Sequence, residues 1–505
     1  MDMMEFAKTK LGWVDPRVMT RVEKYLTKLP FVQREILKET GSIVEELERS
    51  LKPYKQELLS QSQLPAQGRS REEVLADIRL MQSREAHKWQ DGFVSGAVYN
   101  NDPAHLEFLN EVYGLTATCN PIHSDIWPSL NKYESEIVSM TAHMLGAAQT
   151  PTVCGTLSSG GTESILLAMK TYRDIALETR GIKHPEMVLP VTAHAAFDKA
   201  AQYFNIKAIR TPVQTHGKDA GKADVSAIKA AIGRNTVVVV GSAPSFPFGV
   251  IDPIEELSEL ARARGIGFHT DACLGGFVLP WAEKLGYKIP PFDFRLPGVT
   301  SISTDPHKYG YASKGVSVIL YRNEALRRHQ YYTITDWPGG LYFSPTFAGS
   351  RPGGLIAACW AAMVTMGEQG YLDATRRILE TCTTLRNGIA AMPELRLLGD
   401  SVFVVAFDST SLDIYRVLDG MGKRHWSLNG LHKPPALHLA VTLAHTQEGI
   451  AERFLQDLRD AVAEVKSTPQ EKGGMAPVYG MANTLPFKGL IGDLLKQYLD
   501  VMYKV

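Results

Sequence analysis

The sequence lacks the features that would direct a protein into a membrane or onto nucleic acid. Its longest apolar run, residues 355–366, falls well short of the roughly 20 residues that a membrane-spanning helix needs. Lysine plus arginine and aspartate plus glutamate number 54 each, and no block of like charge suggests a nucleic-acid or polybasic membrane partner. Residues 1–30 carry scattered charges and no apolar signal-peptide core. We therefore expect a soluble protein.

Cysteine is also scarce. The five cysteines are an odd number without a CxxC spacing, so they predict neither a disulfide framework nor a zinc site, and we expect no metal. Unpaired cysteines fit a reducing compartment. The five are Cys119, Cys154, Cys273, Cys359 and Cys382. The length of 505 residues and the ordinary globular composition allow one large enzymatic domain with smaller domains appended.

Residues 301–310, SISTDPHKYG, form a stretch that presents a lysine after an apolar approach. A lysine amine attacks an aldehyde only when it is unprotonated. Burial beside a second cationic group such as His307 would lower the pKa of Lys308 and make it a Schiff-base former. A histidine and lysine after a strand more often end a solvated loop, so the hypothesis depends on three further stretches.

Those three stretches fit pyridoxal phosphate. An apolar run, residues 265–270, delivers Asp271 into a turn of small residues, where its carboxylate could keep a pyridine nitrogen protonated or merely cap a turn. Residues 155–164, GTLSSGGTES, form a glycine-rich turn before a helix, whose free N–H groups favour a phosphate, although such turns are common. His194 at a strand-to-helix junction could stack on a cofactor ring or serve only as a packing residue.

Apolar runs alternate with helical patterns along the middle of the chain and predict an α/β fold. We expect strands at residues 237–240, 266–270, 299–303 and 316–321. This alternation predicts a mainly parallel sheet between helices, with functional residues at the carboxyl ends of the strands. Shorter strands at 402–406 and 436–441 predict a smaller α/β domain.

We expect three parts: a helical and loop segment at 1–130, a large cofactor-binding domain at 131–370 and a small C-terminal α/β domain at 371–505. Several local predictions accompany this division. A capping box of Ser70 and Glu73 opens a helix. We also expect loops at 89–101 and 120–131, with a helix starting near Lys132, and a helix at 356–366 that breaks near Gly370. Amphipathic helices are expected within residues 1–63, and residues 475–483 are expected to form a tail that folds back.

Together these pieces resemble the sphingosine-1-phosphate lyases, a branch related to the glutamate and aromatic amino-acid decarboxylases. The resemblance runs from about residue 64 to about residue 483. Its motifs are WQDGFVSGAVY, NPIHSDIWPSL, SSGGTESILLA, AHAAFDKAA, FPFGVIDPIEEL, DACLGGF, GVTSISTDPHKYGYASKG, TDWPGGLYFSPTFAGSRPGG and GMAPVYGMA.

The resemblance implies a fold-type I pyridoxal-phosphate-dependent transferase fold with a mainly parallel seven-stranded sheet. It implies retro-aldol cleavage of phosphorylated sphingoid bases into a long-chain aldehyde and phosphoethanolamine, in a homodimer with shared active sites. Eukaryotic members carry an N-terminal membrane anchor. Its absence here suggests a bacterial-type cytoplasmic enzyme, without an integral membrane segment or a nucleic-acid partner.

The resemblance also implies a role for individual residues. Its catalytic set is Lys308, His194 and Tyr99. Its cofactor-binding set is Lys308 as the Schiff-base lysine, Asp271, His194, Gly160, Gly161, Thr162, His307, Cys273 and Ser350. The substrate phosphate would meet Tyr99, Asn120, His123 and Lys314, and Ser350 and Arg351 would reach a cofactor phosphate of the partner subunit.

Some alternatives stay open at this point. Lys308, His194 and Tyr99 are all candidates for the base that takes the proton of the 3-hydroxyl. Phe246 stands where some relatives place a tyrosine, so no acid or base role fits that position. The rival functions are an amino-acid decarboxylase on the same scaffold and a catalytically silent scaffold or lipid-binding protein.

Overall fold

The computed structural model describes residues 48–49, 51–215, 217–468 and 488–505. In chain order the strands of this part are β1 (Cys154–Ser158), β2 (Glu186–Pro190), β3 (Lys207–Thr211), β4 (Thr236–Ser242), β5 (Gly267–Asp271), β6 (Ser301–Thr304), β7 (Ser317–Tyr321), β8 (Tyr332–Ile334), β9 (Tyr342–Ser344), β10 (Arg396–Leu398), β11 (Val404–Asp408), β12 (Asn429–Leu431) and β13 (Ala436–Ala440). Its α-helices are α1 (Arg71–Gln90), α2 (Pro103–Thr116), α3 (Pro128–Met144), α4 (Gly161–Arg180), α5 (Ala196–Phe204), α6 (Val225–Ala231), α7 (Ile254–Ala263), α8 (Leu279–Lys284), α9 (Glu324–Arg328), α10 (Gly353–Ala390), α11 (Ile414–Lys423), α12 (Ile450–Ser467) and α13 (Lys488–Tyr503).

The large sheet has seven strands in the order β1-β7-β6-β5-β4-β2-β3. Strand β7 runs antiparallel to both of its neighbours, and the other pairs are parallel. Because β1 and β6 both oppose β7, β1 ends at the same edge as β2, β4, β5 and β6. The prediction of a mainly parallel seven-stranded sheet is confirmed, and the four strands predicted within it correspond to β4, β5, β6 and β7.

The middle of this sheet is buried because its strands are apolar runs covered on both faces. Every residue of β4, β6 and β7 is buried. Helix α4 packs on one face through a continuous set of apolar side chains, including Ile165, Leu167 and Met169. A parallel sheet is covered by helices on both faces, so its strands are apolar at nearly every position.

A smaller antiparallel sheet, in the order β10-β11-β13-β12, follows the long helix α10. Its strands β11 and β13 confirm the short strands predicted in this region. The helix predicted at 356–366 is longer than expected, because it begins at Gly353 and reaches Ala390. Its break lies at Gly367, where a φ of 55° interrupts the helix, rather than at Gly370.

Several local predictions can be compared with the described residues. The capping box is confirmed, because the Ser70 hydroxyl accepts from the Glu73 amide and the Glu73 carboxylate accepts from the Ser70 amide. The helix expected near Lys132 instead begins at Pro128, since a proline at the first helical position already has the required φ. The amphipathic segments predicted before residue 48 and the tail at 475–483 lie outside the described residues. The three domain limits stay predictions.

Among the described residues no helix is both long and apolar enough to cross a bilayer.

Candidate active site

The predicted lysine lies in the loop between β6 and β7, at the carboxyl edge of the large sheet. The residue that follows it fixes this loop, because the buried hydroxyl of Tyr309 donates to the carbonyl of Val441 at 2.8 Å, just after β13. Tyr371 of α10 donates to the carbonyl of Gly310 at 2.9 Å. The backbone around Lys308 is therefore held by the small sheet and by the long helix together.

The Lys308 ammonium forms an ion pair with Asp305. Its Nζ atom lies 2.9 Å from Asp305 Oδ2, and the Asp305 side chain is only 1% exposed. Burial is the largest single effect and by itself lowers the pKa of Lys308, but Asp305, with contributions from Cys273 and Tyr99, raises that pKa above its usual value. In the same way, burial would raise the pKa of Asp305, but Lys308 and His307 lower it.

The prediction that the pKa of Lys308 is lowered is therefore wrong for this chain. His307 is not the decisive neighbour of Lys308, because His307 Nε2 lies 3.8 Å from Asp305 Oδ2 and its Nδ1 contacts the carbonyl of Val316. Burial lowers the pKa of His307, so its ring is neutral near pH 7. A carboxylate, not a second cation, sets the protonation of Lys308.

The glycine-rich turn lies directly beside this pair. Helix α4 begins at Gly161, immediately after β1, so its unpaired amide groups face the carboxyl edge of the sheet. Three buried serine hydroxyls brace the turn, because Ser164 Oγ lies 2.7 Å from Ser158 Oγ and 2.8 Å from Ser317 Oγ. Ser317 in turn donates to the carbonyl of Thr304, next to Asp305.

Gly161 has no room for a side chain. A Cβ atom at this position would lie 2.6 Å from Asp305 Oδ2 and 2.9 Å from Cys273 Sγ. Gly160 is close to the other side of the loop, since its Cβ position is 3.8 Å from the His307 ring. Thr162 is exposed in the first turn of the helix.

Asp271 is the last residue of β5, and the turn after it returns towards Lys308. The Cys273 amide donates to Asp271 Oδ1 at 3.1 Å, and both side chains are buried. Strand β5 pairs with β6 so that Asp271 lies beside Ser303, five residues before the lysine. The predicted aspartate and cysteine are thus brought to the lysine loop.

Tyr99 and Lys314 complete this group. The Lys314 ammonium lies 4.4 Å from the centre of the Tyr99 ring and donates to the carbonyl of His307 at 3.2 Å. Partial burial and the charge of Lys308 lower the pKa of Lys314 to about 8. Burial raises the pKa of Tyr99, so its phenol is neutral.

His194 belongs to a second group of side chains. It lies just before α5, and its Nδ1 accepts from the amide of Ala196 at 3.1 Å, which leaves the proton of a neutral ring on Nε2. The Phe246 ring contacts His194 at 6.2 Å and buried His438 at 4.8 Å, both edge to face. In the described part of the chain, no hydrogen bond or ring contact joins His194 directly to Lys308.

Asn120 and Ser350 form a third group with Arg351. The Asn120 amide donates to Ser350 Oγ at 3.0 Å, and the Arg351 guanidinium pairs with Glu134. His123 is exposed nearby and contacts the Trp127 ring at 6.3 Å. No hydrogen bond or ion pair links this group to Lys308 among the residues that the structure describes.

Comparison with known proteins identifies the family. The family model of the pyridoxal-dependent decarboxylase conserved domain matches residues 53–408. The sphingosine-1-phosphate lyase of Arabidopsis thaliana is 46% identical over 489 residues, which are 95% of this chain and 87% of that protein. A solved sphingosine-1-phosphate lyase of Burkholderia pseudomallei has a TM-score of 0.83 and 44% identity, and the match covers 90% of this chain and 99% of that chain. The chain belongs to the sphingosine-1-phosphate lyase family.

Amino-acid decarboxylases share only the fold with this member of the lyase family. The glutamate decarboxylase of Lactobacillus brevis has a TM-score of 0.70 at 18% identity, over 83% of this chain and 98% of that chain. The predicted fold class and the predicted family are both confirmed. Membership in a pyridoxal-dependent family gives the cofactor as pyridoxal phosphate.

The residues present fit that cofactor. Of the ten buried polar atoms without a hydrogen-bond partner in the described part of the chain, five belong to residues at or just after the carboxyl ends of β2, β4 and β6: Thr192 Oγ1, Ser242 Oγ, Ser245 Oγ, Thr304 Oγ1 and Asp305 Oδ1. Such orphaned atoms are rare in folded proteins unless a bound group satisfies them. The start of α4 suits a phosphate, and Lys308 and Asp271 suit the aldehyde and the ring nitrogen.

Asp305 is the functional residue that sequence reasoning missed in this lyase. Its signal was present, because it lies three residues before Lys308 within the stretch SISTDPHKYG. A carboxylate at that spacing in a tight turn can fold back onto the ammonium. The roles of the other predicted site residues stay predictions.

Proposed function

We propose that this protein is a pyridoxal-phosphate-dependent lyase that cleaves phosphorylated sphingoid bases into a long-chain aldehyde and phosphoethanolamine. Membership in the sphingosine-1-phosphate lyase family over nearly the whole chain is the observation that carries the proposal. The site supports the proposal because three groups lie together at the carboxyl edge of the large sheet. They are Lys308, Lys314 and the glycine-rich turn before α4.

Several side chains of the site would hold the cofactor. Lys308 would bind its aldehyde, Asp271 its ring nitrogen, and the amide groups at Gly160 and Gly161 its phosphate. When bound, pyridoxal phosphate withdraws the electron pair of a bond that breaks at the amino-bearing carbon. The protein selects that bond by fixing the rest of the substrate.

Lys314 and Tyr99 are placed to bind the substrate phosphate. Lys314 is a flexible point charge that Tyr99 supports from one face, and the neutral phenol of Tyr99 can donate to a phosphate oxygen. A phosphate bound here would lie within reach of the lysine loop, because Lys314 also contacts the carbonyl of His307. Binding of the substrate phosphate by Lys314 would leave the apolar tail of the substrate outside the lysine loop.

The base for the 3-hydroxyl is best assigned to Lys308. Tyr99 is disfavoured because burial raises its pKa and the phenol holds its proton. His194 is disfavoured because its unprotonated nitrogen already accepts from Ala196. A neutral Lys308 amine would take the hydroxyl proton, and Asp305 at 2.9 Å would stabilise the ammonium that forms.

The products of sphingosine 1-phosphate test this function directly. Purified holoenzyme should release a long-chain aldehyde and phosphoethanolamine, identified by mass, and Lys308→Ala should release neither. Unphosphorylated sphingosine is the matched control, and Lys314→Gln should weaken turnover of the phosphate ester while leaving the poor turnover of sphingosine unchanged. Carbon dioxide from an amino acid, with no aldehyde from the lipid, would make the protein a decarboxylase.

We further propose that the enzyme is a homodimer with shared active sites. Ser350 is exposed, and large apolar side chains around it are exposed as well, including Phe343 at 71% and Phe347 at 52%. In one chain Ser350 and Asn120 contact each other rather than the lysine loop. A partner subunit could bring Ser350 to the other cofactor site and cover these apolar side chains.

Subunit mixing distinguishes a shared site from two separate ones. Lys308→Ala and Ser350→Ala should each be impaired alone, and co-refolded mixtures should recover up to about a quarter of wild-type activity, because half of the dimers would contain one intact site. A mixture no more active than the mean of its parents would contradict shared sites. Analytical ultracentrifugation of the wild type should show a dimer.

A further inference from the structure

A line of buried polar groups runs beneath the active site, across β5 and β6. The Tyr172 hydroxyl lies 2.6 Å from Ser301 Oγ, and Ser301 Oγ lies 2.8 Å from His269 Nδ1. On the other side of the imidazole, His269 Nε2 lies 3.1 Å from Ser303 Oγ, which is 3.4 Å from Cys273 Sγ. We call these five side chains the buried relay.

Hydrogen-bond bookkeeping at one end fixes the direction of the relay. The Thr300 hydroxyl donates to the carbonyl of Phe268 at 2.9 Å, so its single proton is already in use. Tyr172 then donates either to Thr300 Oγ1 at 2.6 Å or to the carbonyl of Phe268 at 3.3 Å. Because the phenol proton is used in either bond, Ser301 must donate to Tyr172.

The imidazole of His269 continues the relay in the same direction. Ser301 has given its proton to Tyr172, so it accepts from His269 Nδ1–H, and Nε2 of the neutral ring accepts from the Ser303 hydroxyl. Ser303 is then left to accept from the Cys273 thiol. This arrangement gives every relay proton an acceptor and uses every short contact.

The environment of His269 agrees with a neutral ring. The residue is fully buried, and burial lowers the pKa of His269 to about 4 against the attraction of Asp271 on the same strand. The groups that face the ring are Ser301, Ser303 and Phe197, of which Phe197 makes an edge-to-face contact at 5.8 Å.

At its upper end the relay reaches the cofactor site. Cys273 is held at two points, because Ser303 accepts from its thiol and Asp271 accepts from its amide at 3.1 Å. Its sulphur lies 2.9 Å from the Cβ position of Gly161, at the start of α4. The turn that carries Asp271 is therefore fixed from below by a chain of hydrogen bonds.

We propose that His269 is a positioning residue, whose neutral ring with its proton on Nδ1 orients Ser303 and the Cys273 thiol and so fixes the turn that presents Asp271 to the cofactor. The kinetic consequence rests on the proposed lyase function. The proton positions and the cofactor spectrum do not depend on which substrate the enzyme cleaves.

Two substitutions at His269 form a matched pair. In His269→Gln the side-chain oxygen reaches the Nε2 position and can still accept from Ser303, whereas the shorter His269→Asn cannot. Holoenzyme of His269→Asn should show a shifted visible cofactor band, a changed pH dependence of that band, and a kcat reduced about tenfold or more with KM little changed. His269→Gln should stay within about twofold of the wild type in kcat, with its band unshifted.

Ser303→Ala removes the same hydrogen bond, between Ser303 and His269 Nε2, from the other side. It should reproduce the spectrum of His269→Asn. If both His269 variants lose thermal stability equally and keep the wild-type spectrum, the residue is only structural and the proposal is wrong. Neutron diffraction of deuterated wild-type holoenzyme needs no variant to fold. Deuterium on His269 Nδ1 and on Cys273 Sγ would support the proposal, and deuterium on Nε2 would overturn it. If the wild type shows no lyase activity against sphingosine 1-phosphate, the proposed function is refuted, but the proposed role of His269 is not.

Discussion

Replacing Asp305 by asparagine should make Lys308 a faster nucleophile towards the cofactor. For unit charges 2.9 Å apart, Coulomb's law with an effective dielectric constant of about 20 gives about 6 kcal/mol. The Lys308 side chain is 23% exposed, so we halve this to about 3 kcal/mol, or about 2 pKa units. Below both pKa values, the neutral fraction of Lys308 should rise about a hundredfold in Asp305→Asn.

The assay is the rate at which apoprotein captures pyridoxal phosphate, followed by stopped-flow absorbance of the lysine-bound cofactor from pH 6 to pH 10. In Asp305→Asn the rate should rise at lower pH than in the wild type. Asp293→Asn is the matched control, because Asp293 is 3% exposed and pairs with Arg295 at the same 2.9 Å, away from the lysine loop. Superimposable pH profiles for the wild type and both variants would refute the reasoning.

The same substitution should slow turnover although it speeds capture. In the proposed mechanism Asp305 stabilises the ammonium that Lys308 becomes when it takes the 3-hydroxyl proton. Asp305→Asn loses that stabilisation, so kcat should fall. A variant that captures the cofactor faster and also cleaves substrate at the wild-type rate would remove Asp305 from the mechanism.

Three further predictions follow from individual contacts. Gly161→Ala should weaken pyridoxal phosphate binding at least tenfold in a fluorescence titration, because its methyl group would lie 2.6 Å from Asp305; Gly114→Ala, where a Cβ meets nothing within 4 Å, should bind normally. Because the pKa of Lys314 is lowered to about 8, its charge is lost as pH rises through 8, so kcat/KM for the phosphorylated substrate should fall there; a Lys314→Gln variant should lack that alkaline limb. Burial raises the pKa of Asp252 to about 6; its protonation therefore favours the folded state below its unfolded value, and this contribution is lost as pH rises from about 4 to about 6. The difference in unfolding free energy between wild type and Asp252→Asn, measured by urea denaturation, should change by about 3 kcal/mol over that interval.

The elements that carry the site could be predicted because their signals are local. An apolar run bounded by small residues specifies β4 or β5 whatever lies beside it, and a serine followed by glutamate three residues later specifies the start of α1. The order of the lysine, aspartate and histidine along the chain follows from these elements. The carboxyl edge of the sheet then brings Asp271 and Lys308 together.

The charges of the site could not be predicted in the same way, because they depend on contacts across the fold. The partner of Lys308 is a neighbour in sequence, yet only the geometry of the turn decides whether Asp305 or His307 faces the ammonium. The contact of Phe246 with His438 joins the loop after β4 to strand β13 of the small sheet, and no local pattern reports it. The surroundings of Ser350 could not be predicted from local patterns either, because its proposed role involves a second subunit.

The ion pair also suggests what the site is arranged to do. A carboxylate that raises the pKa of Lys308 slows the first capture of the cofactor by the free protein. The same carboxylate makes the free amine a stronger base, which the proposed cleavage needs in every turnover. Because Tyr309 is bound to Val441 and Gly310 to Tyr371, the loop holds this pair at a fixed distance. The geometry therefore favours repeated proton transfer over rapid loading, and the opposite effects expected of Asp305→Asn on capture and on turnover follow from that one arrangement.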